Sequence, residues 1–217
     1  MYRGCTALTY VPVGLFSGMT GYKSNYACAG MFENCTSLRS VPKLPPGTAP
    51  SRGYQWMFYG CTSLATVPAD MLGEPNYIYS EAYRYMFGNC TSLKTPPSSI
   101  PSSKCYGTYC YHYMFDHCSS LSTIPKLPAT ILTDNCYCGM FNGCTSLKSI
   151  PNGYIASATL ANDCYTAMFA ETGLTAVPDI FHNITVTAPN CFRMMFYDCK
   201  SLSSVPADMF ETIVKHS

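Results

Sequence analysis

The chain has 217 residues, of which 47% are hydrophobic and 12% are charged, and its net charge at pH 7 is +1. This composition supplies ample apolar material for a folded core and excludes an intrinsically disordered chain. The small net charge, spread without basic runs, argues against nucleic acid or an anionic membrane surface as a partner. No stretch of about 18 apolar residues occurs, so membrane insertion of this segment is not expected.

One block of sequence recurs along the chain at regular intervals. At residues 31–42 it reads Met-Phe-Glu-Asn-Cys-Thr-Ser-Leu-Arg-Ser-Val-Pro. Successive motif methionines lie 26, 29, 28, 26, 28 and 27 residues apart, at Met31, Met57, Met86, Met114, Met140, Met168 and Met195. A period of this length is typical of a solenoid in which each turn stacks on the next. We predict a single repeat domain over residues 1–217, with about eight repeats.

Both ends of the sequence fall inside a repeat. Met1 and Cys5 occupy the motif positions of Met31 and Cys35, and the chain stops partway into another turn after Val205. A natural solenoid normally begins with a unit that covers its apolar end. We therefore expect the first and last repeats to be incomplete and the sequence to be a fragment of a longer protein.

The residues of each block predict its local structure. The Leu-x-x-Val-Pro part, as in Leu38 and Val41, combines aliphatic and β-branched residues ended by proline, which predicts a short strand. The position before the motif cysteine is rich in residues that tolerate positive φ, which predicts a tight turn. Those residues are Gly4, Asn34, Gly60, Asn89, His117, Gly143 and Asp198. An aromatic residue stands three positions before each motif methionine from Met57 onward and predicts packing, at Tyr54, Tyr83, Tyr111, Tyr137, Tyr165 and Phe192.

The connections between blocks vary in length and are rich in proline and glycine, so we expect loops with at most single helical turns, for example at residues 79–85. The fold class is therefore a leucine-rich-repeat-like solenoid. It has one short parallel strand per 26–29-residue turn, and irregular loops or short helical turns on the other side.

The block Met-Phe-x-x-Cys-Thr-Ser-Leu-x-x-Val-Pro resembles the repeat of BspA-like leucine-rich proteins over essentially the whole chain. The copy at residues 168–174 is similar to a Thr-Gly-Leu variant of such repeats, which lacks the cysteine. The resemblance implies surface-exposed proteins of gut or oral bacteria and some mucosal protists, with roles in adhesion and protein binding. It implies no enzyme. Longer, tyrosine-rich connections and Pro96 in a strand position depart from the pattern.

Fourteen cysteines would ordinarily suggest disulfides in an exported protein. The motif cysteines and those four residues before a motif methionine occur independently of each other, which favours a ladder of small buried side chains. A minority of disulfides stays open, with Cys105 and Cys110 as the least explained pair. Cys136, Cys138 and Cys144 lie close in sequence but lack the paired spacing of a zinc site. We expect no metal and no cofactor.

The motif methionines and phenylalanines are predicted to form a continuous core. Outside this core, no histidine lies in a recognisable nucleophile motif. Enzymatic activity is therefore not expected, and binding is sought at positions that vary between repeats. The row before the methionine holds three successive aromatics, Trp56, Tyr85 and Tyr113, and tyrosines of the connections adjoin it. The aromatic candidates are Trp56, Tyr85, Tyr113, Tyr79 and Tyr109. Weaker candidates on the strand face are Arg39, Lys94 and Lys148.

Two functions fit this reading. The first is an adhesion module, extracellular or at a cell surface, that binds a protein or glycan ligand. The second is a structural spacer array in a surface appendage or a phage particle. Exposed aromatic candidates distinguish them, because only a binding module depends on those side chains.

Overall fold

The computed structural model describes residues 1–16, 24–101, 105–155, 159–177, 179–180, 184 and 188–207. Within these ranges the sole helix is a 3-10 helix at Val13–Phe16. The rest of the described chain consists of turns, bends and isolated parallel bridges. The residues beyond 207, where we expected the last repeat, lie outside the described part of the chain.

Each motif block forms a ribbon of consecutive turns. In the block of Met57, the N–H groups of Tyr54, Trp56 and Phe58 donate to carbonyls one repeat further on, at 2.9–3.0 Å. The N–H groups of the alternate residues Met57 and Tyr59 donate three residues back within the same turn, both at 3.1 Å. Backbone hydrogen-bonding groups are thus shared between local turns and the next repeat, which satisfies them without a helix or an extended sheet.

This alternation requires a left-handed residue at every fourth position. In each of the seven complete blocks, φ is positive five and one residues before the motif methionine and three residues after it. The last of these positions precedes the motif cysteine, so the predicted tight turn is confirmed. The helical turn predicted at 79–85 is wrong, because Glu81 and Tyr85 have φ of 58° and 52° and interrupt any right-handed helix.

The predicted strand is reduced to single parallel bridges. Three bridges lie two residues after the motif leucine, where we expected the strand: Tyr10↔Ser40, Thr66↔Thr95 and Ala176↔Ser204. Four others lie in the connections, where we expected loops: Ala49↔Ile78, Ile78↔Cys105, Ser99↔Lys126 and Ile131↔Thr159. The parallel direction is therefore confirmed between three pairs of turns, and the described residues contain no longer strand.

The core is a set of ladders that run from turn to turn. In the block of Met114, the residues Tyr111, Met114, Phe115, Cys118 and Leu121 have no exposed surface. The motif phenylalanines stack nearly parallel with ring centroids 5.5–6.0 Å apart from Phe32 to Phe196. The aromatics three positions before the methionines stack at 5.4–5.9 Å from Tyr54 to Phe192. Both predicted packing roles are confirmed.

Candidate functional site: an aromatic face

The residues that precede the motif methionines form one row, here called the left-handed row. Trp56 and Met194 are exposed, Tyr85, Tyr113 and Ala167 are half-buried, and Gly30 and Gly139 are buried. All seven have positive φ, between 52° and 60°. Its members are Gly30, Trp56, Tyr85, Tyr113, Gly139, Ala167 and Met194. A bulky residue in this region costs roughly 1–2 kcal/mol, which glycine avoids. Three successive turns therefore carry large aromatic side chains at positions where the other turns carry glycine, alanine or methionine.

Two of the three aromatic candidates in this row contact each other. The rings of Tyr85 and Tyr113 stack with centroids 5.0 Å apart and an interplanar angle of 5°. A Cβ atom added at Gly139 would collide with the Tyr113 ring, so the glycine makes room for it one turn further on. Trp56 occupies the equivalent backbone position one turn before Tyr85 and is 39% exposed, and no ring stack joins the two within the described part of the chain.

His112 packs against both rings of the stacked pair Tyr85 and Tyr113. It is buried and makes edge-on ring contacts with Tyr85, Tyr109 and Tyr113, at 6.0, 5.0 and 4.5 Å. Its Nδ1 atom has no hydrogen-bond partner among the described residues. Burial, helped by the charge of Arg84, lowers the pKa of His112 to about 4. The imidazole is therefore neutral near pH 7 and acts here as a packing group for the tyrosines.

A compact ionic network around Glu81 contacts the ring of Tyr85. Glu81 accepts from Arg52 at 2.6 Å, from Arg84 at 2.8 Å and from the amide of Gln55 at 3.0 Å. Burial raises the pKa of Glu81, but the hydrogen bonds and charges of Arg52 and Arg84 outweigh burial and lower it overall. The Arg84 guanidinium also lies 5.6 Å from the ring centre of Tyr85. Because cations attract aromatic faces, this network helps to hold the Tyr85 ring in place.

A second group of exposed rings comes from the connections, and we call Tyr77, Tyr79 and Tyr106 the tyrosine platform. Tyr77 and Tyr106 contact edge to face at 5.4 Å, and Tyr79 and Tyr106 lie 6.3 Å apart. Their exposed fractions are 46%, 43% and 55%. Tyr79 was a sequence candidate, and the structure groups it with Tyr77 and Tyr106 in this platform.

The sequence model of the BspA type leucine rich repeat region matches the chain in six copies, over residues 24–150 and 75–203. The chain belongs to this family. The search of curated proteins gave no match, and the search of solved structures gave none either. Members of the family are often surface-associated binding modules, and the family is generally a non-enzymatic scaffold.

The cysteines of these BspA-type repeats are buried, as predicted, except Cys5 in the first turn, which is exposed. All fourteen are free thiols in the structure. The motif cysteine sulfur donates to the carbonyl of the phenylalanine one turn earlier, at 3.1–3.3 Å for Cys61, Cys90, Cys118, Cys144 and Cys199. Burial raises the pKa of Cys61 to about 12, which disfavours the reactive thiolate. In the variant copy, the hydroxyl of Thr172 donates to the Phe169 carbonyl at 2.8 Å.

The pair for which a disulfide stayed open, Cys105 and Cys110, also consists of free thiols. The thiols of Cys105 and Cys136 hydrogen-bond to Cys110 and lower its pKa below the ordinary value. The described residues contain no group of three or more histidine, cysteine or acidic side chains arranged to hold a metal ion.

We call Trp56, Tyr85 and Tyr113 of the left-handed row the aromatic face. The cationic candidates Arg39, Lys94 and Lys148 lie apart from it. Each is exposed and stands eight residues after its motif methionine, whereas the left-handed row stands one residue before it. Successive members are two turns apart, and the Lys148 ammonium donates to the Thr145 carbonyl at 3.0 Å. The structure therefore does not gather these three cations into one cluster.

Sequence comparison between repeats missed the supporting residues Arg52, Glu81, Arg84 and His112. The one sequence signal for this group is a departure from the repeat pattern. Glu81 and Arg84 form a charged pair five and two residues before a motif methionine, and the other blocks lack a charged pair at these two positions. Among the described residues, no helix is long and apolar enough to cross a bilayer.

Proposed function

We propose that this chain is a non-enzymatic recognition module at a cell surface or outside the cell, which binds a protein or glycan ligand through its aromatic face. The observation that carries the proposal is the left-handed row. Three of its residues have large side chains at positive φ, namely Trp56, Tyr85 and Tyr113. At the equivalent position of two other turns, glycine (Gly30 and Gly139) occupies the row. Glycine avoids the conformational cost of this region, so the backbone does not require the aromatic side chains at these turns.

The chemistry of this face supports protein or glycan contact. Tyrosine and tryptophan cover a large contact area at low conformational entropy cost, and both are enriched at binding hot spots. The Tyr85–Tyr113 stack, the buried His112 and the Glu81 network hold the rings before any ligand arrives. Rigid side chains lose less entropy on binding than mobile ones, which favours affinity.

The test replaces all three aromatics by glycine, in the variant Trp56→Gly/Tyr85→Gly/Tyr113→Gly. Glycine already occupies this row at two other turns, so we expect the fold to persist. Binding is measured on an array of extracellular glycoproteins, matrix proteins and free oligosaccharides. We expect the wild-type chain to bind members of the array and the triple variant to lose about tenfold or more in affinity.

The matched control is Tyr10→Ala/Tyr197→Ala, which removes two exposed tyrosines, at 62% and 56% exposure, from outside the left-handed row. This control should bind as the wild type does. Equal binding by the triple variant and the wild type, or no binding to any member of the array, would contradict the proposal. That result would favour the alternative function, a structural spacer array in a surface or phage appendage.

A further inference from the structure

An open cavity of about 610 Å³ lies beside the tyrosine platform. Its volume is within the ~300–1,000 Å³ typical of small-molecule sites. The described residues that line it carry no ionised side chain, and they offer two phenol rings together with amide and hydroxyl groups. They are Asn25, Thr48, Pro50, Ser51, Tyr77 and Tyr79.

Two of the connections that line this cavity are joined by a parallel bridge, and the connection after them extends the pairing. Ala49 pairs with Ile78, and Ile78 pairs with Cys105, and all three side chains are buried. Because side chains alternate between the two faces of paired extended segments, the neighbours of these residues lie on the outer face. Tyr77 and Tyr79 flank Ile78, and Thr48 precedes Ala49, so the rings and the hydroxyl share this outer face.

The backbone at the platform is already paired, which disfavours an extended peptide as the occupant. The Ala49 N–H donates to the Tyr77 carbonyl at 2.8 Å, and the Tyr79 N–H donates to the Ala49 carbonyl at 3.0 Å. On the other side, the Tyr106 N–H donates to the Ile78 carbonyl at 2.8 Å. Recognition of a peptide by strand addition needs an unpaired edge, and this patch offers its side chains instead.

The charge next to the cavity is compensated inside the protein. Arg52 follows the lining residue Ser51, and its guanidinium forms an ion pair with Glu81 at 2.6 Å and donates to the Tyr26 hydroxyl. A ligand carboxylate would have to compete with Glu81 for this cation. The lining therefore suits a neutral ligand that presents both an apolar face and hydroxyl groups.

We propose that this cavity is a binding subsite for one residue of a neutral glycan. A sugar ring presents C–H groups on its face, which pack against the face of Tyr77 or Tyr79, because the face of an aromatic ring carries partial negative charge. The sugar hydroxyls exchange hydrogen bonds with Asn25, Thr48 and Ser51, whose side chains both donate and accept. This inference rests on the proposed recognition function and names a ligand class for one part of its surface.

The test uses neutral oligosaccharides built from glucose, galactose or N-acetylhexosamines, and matched acidic oligosaccharides that carry uronic or sialic acid. Binding is followed by saturation-transfer NMR and quantified by calorimetry. We expect a neutral oligosaccharide to bind and its affinity to fall about tenfold or more in Tyr79→Ala. Thr48→Val keeps the side-chain shape and removes the hydroxyl, so it should weaken binding several-fold without a change in Tm. Tyr197→Ala, on an exposed tyrosine outside the cavity, should bind as the wild type does.

Several outcomes would overturn the inference: no neutral oligosaccharide binds, only the acidic set binds, or Tyr79→Ala and Thr48→Val leave the affinity unchanged. The array experiment on Trp56, Tyr85 and Tyr113 tests the recognition function independently of these outcomes. If array proteins still bind through Trp56, Tyr85 and Tyr113 while neutral sugars do not bind, the glycan subsite is wrong and the recognition function stands.

Discussion

The phenylalanine ladder and the left-handed row are two columns of the same repeat, two residues apart in each turn, and they differ in how freely their residues vary. The ladder carries phenylalanine in every complete block, because each ring stacks on the next at 5.5–6.0 Å inside the core. The left-handed row carries glycine, alanine, methionine, tyrosine or tryptophan, and its side chains range from half-buried to exposed. The inner column therefore defines the scaffold, and the outer column is free to carry recognition.

A substitution in the ladder tests the first half of this comparison and should have the largest effect on stability. Phe115 has no exposed surface and stacks between Phe87 and Phe141 at 5.5 and 5.7 Å. Phe115→Ala removes both contacts and leaves a cavity, so we expect a loss of about 3–5 kcal/mol in the free energy of unfolding. Thermal and denaturant unfolding measure this loss. A variant with the wild-type Tm would contradict the assignment of this column to the core.

How much of the molecule could be predicted follows the same division. The ladders, the buried cysteines and the left-handed residue before each motif cysteine were predictable, because every repeat presents a compatible residue at those positions. The positive φ of Trp56 and Tyr85 was not predictable, because bulky side chains disfavour that region. In the left-handed row only Gly30 and Gly139 indicate it. The extended strand was overpredicted, because turn-to-turn hydrogen bonds within the ribbon satisfy most of the backbone that a sheet would pair.

The ionic network at Glu81 tests whether the outer aromatics are held rigidly. Glu81→Gln leaves Arg52 and Arg84, both at half-buried positions, without their carboxylate, so we expect a loss of about 1–3 kcal/mol in stability. We also expect Tyr85 to become more mobile, since the Arg84 guanidinium lies over its ring. Chemical denaturation measures the first effect and side-chain NMR line shapes measure the second.

Asp70→Asn is the matched control for this variant. Asp70 also forms a carboxylate ion pair between turns, with Lys43 at 2.7 Å, but both side chains are more than half exposed. Exposed ion pairs contribute little because solvent screens them, so this variant should keep the wild-type Tm. Equal losses in the two variants would show that burial of the Glu81 network does not distinguish it from an ordinary surface pair.

Tyr113→Gly should cost much less stability than Phe115→Ala, although the two residues are only two positions apart. The substitution loses the stack on Tyr85, worth about 0.5–1.5 kcal/mol, and about 1 kcal/mol of apolar burial, because Tyr113 is half-buried. Added backbone freedom in the unfolded chain costs about 0.5–1 kcal/mol more, whereas relief of the left-handed strain at φ 53° returns roughly 1–2 kcal/mol. The net loss should therefore be about 1–2 kcal/mol. Denaturant unfolding of Tyr113→Gly beside Phe115→Ala measures the contrast directly. A loss from Tyr113→Gly as large as that from Phe115→Ala would mean that the outer row is as structural as the ladder, and the aromatic face would then lose its claim to be free for recognition.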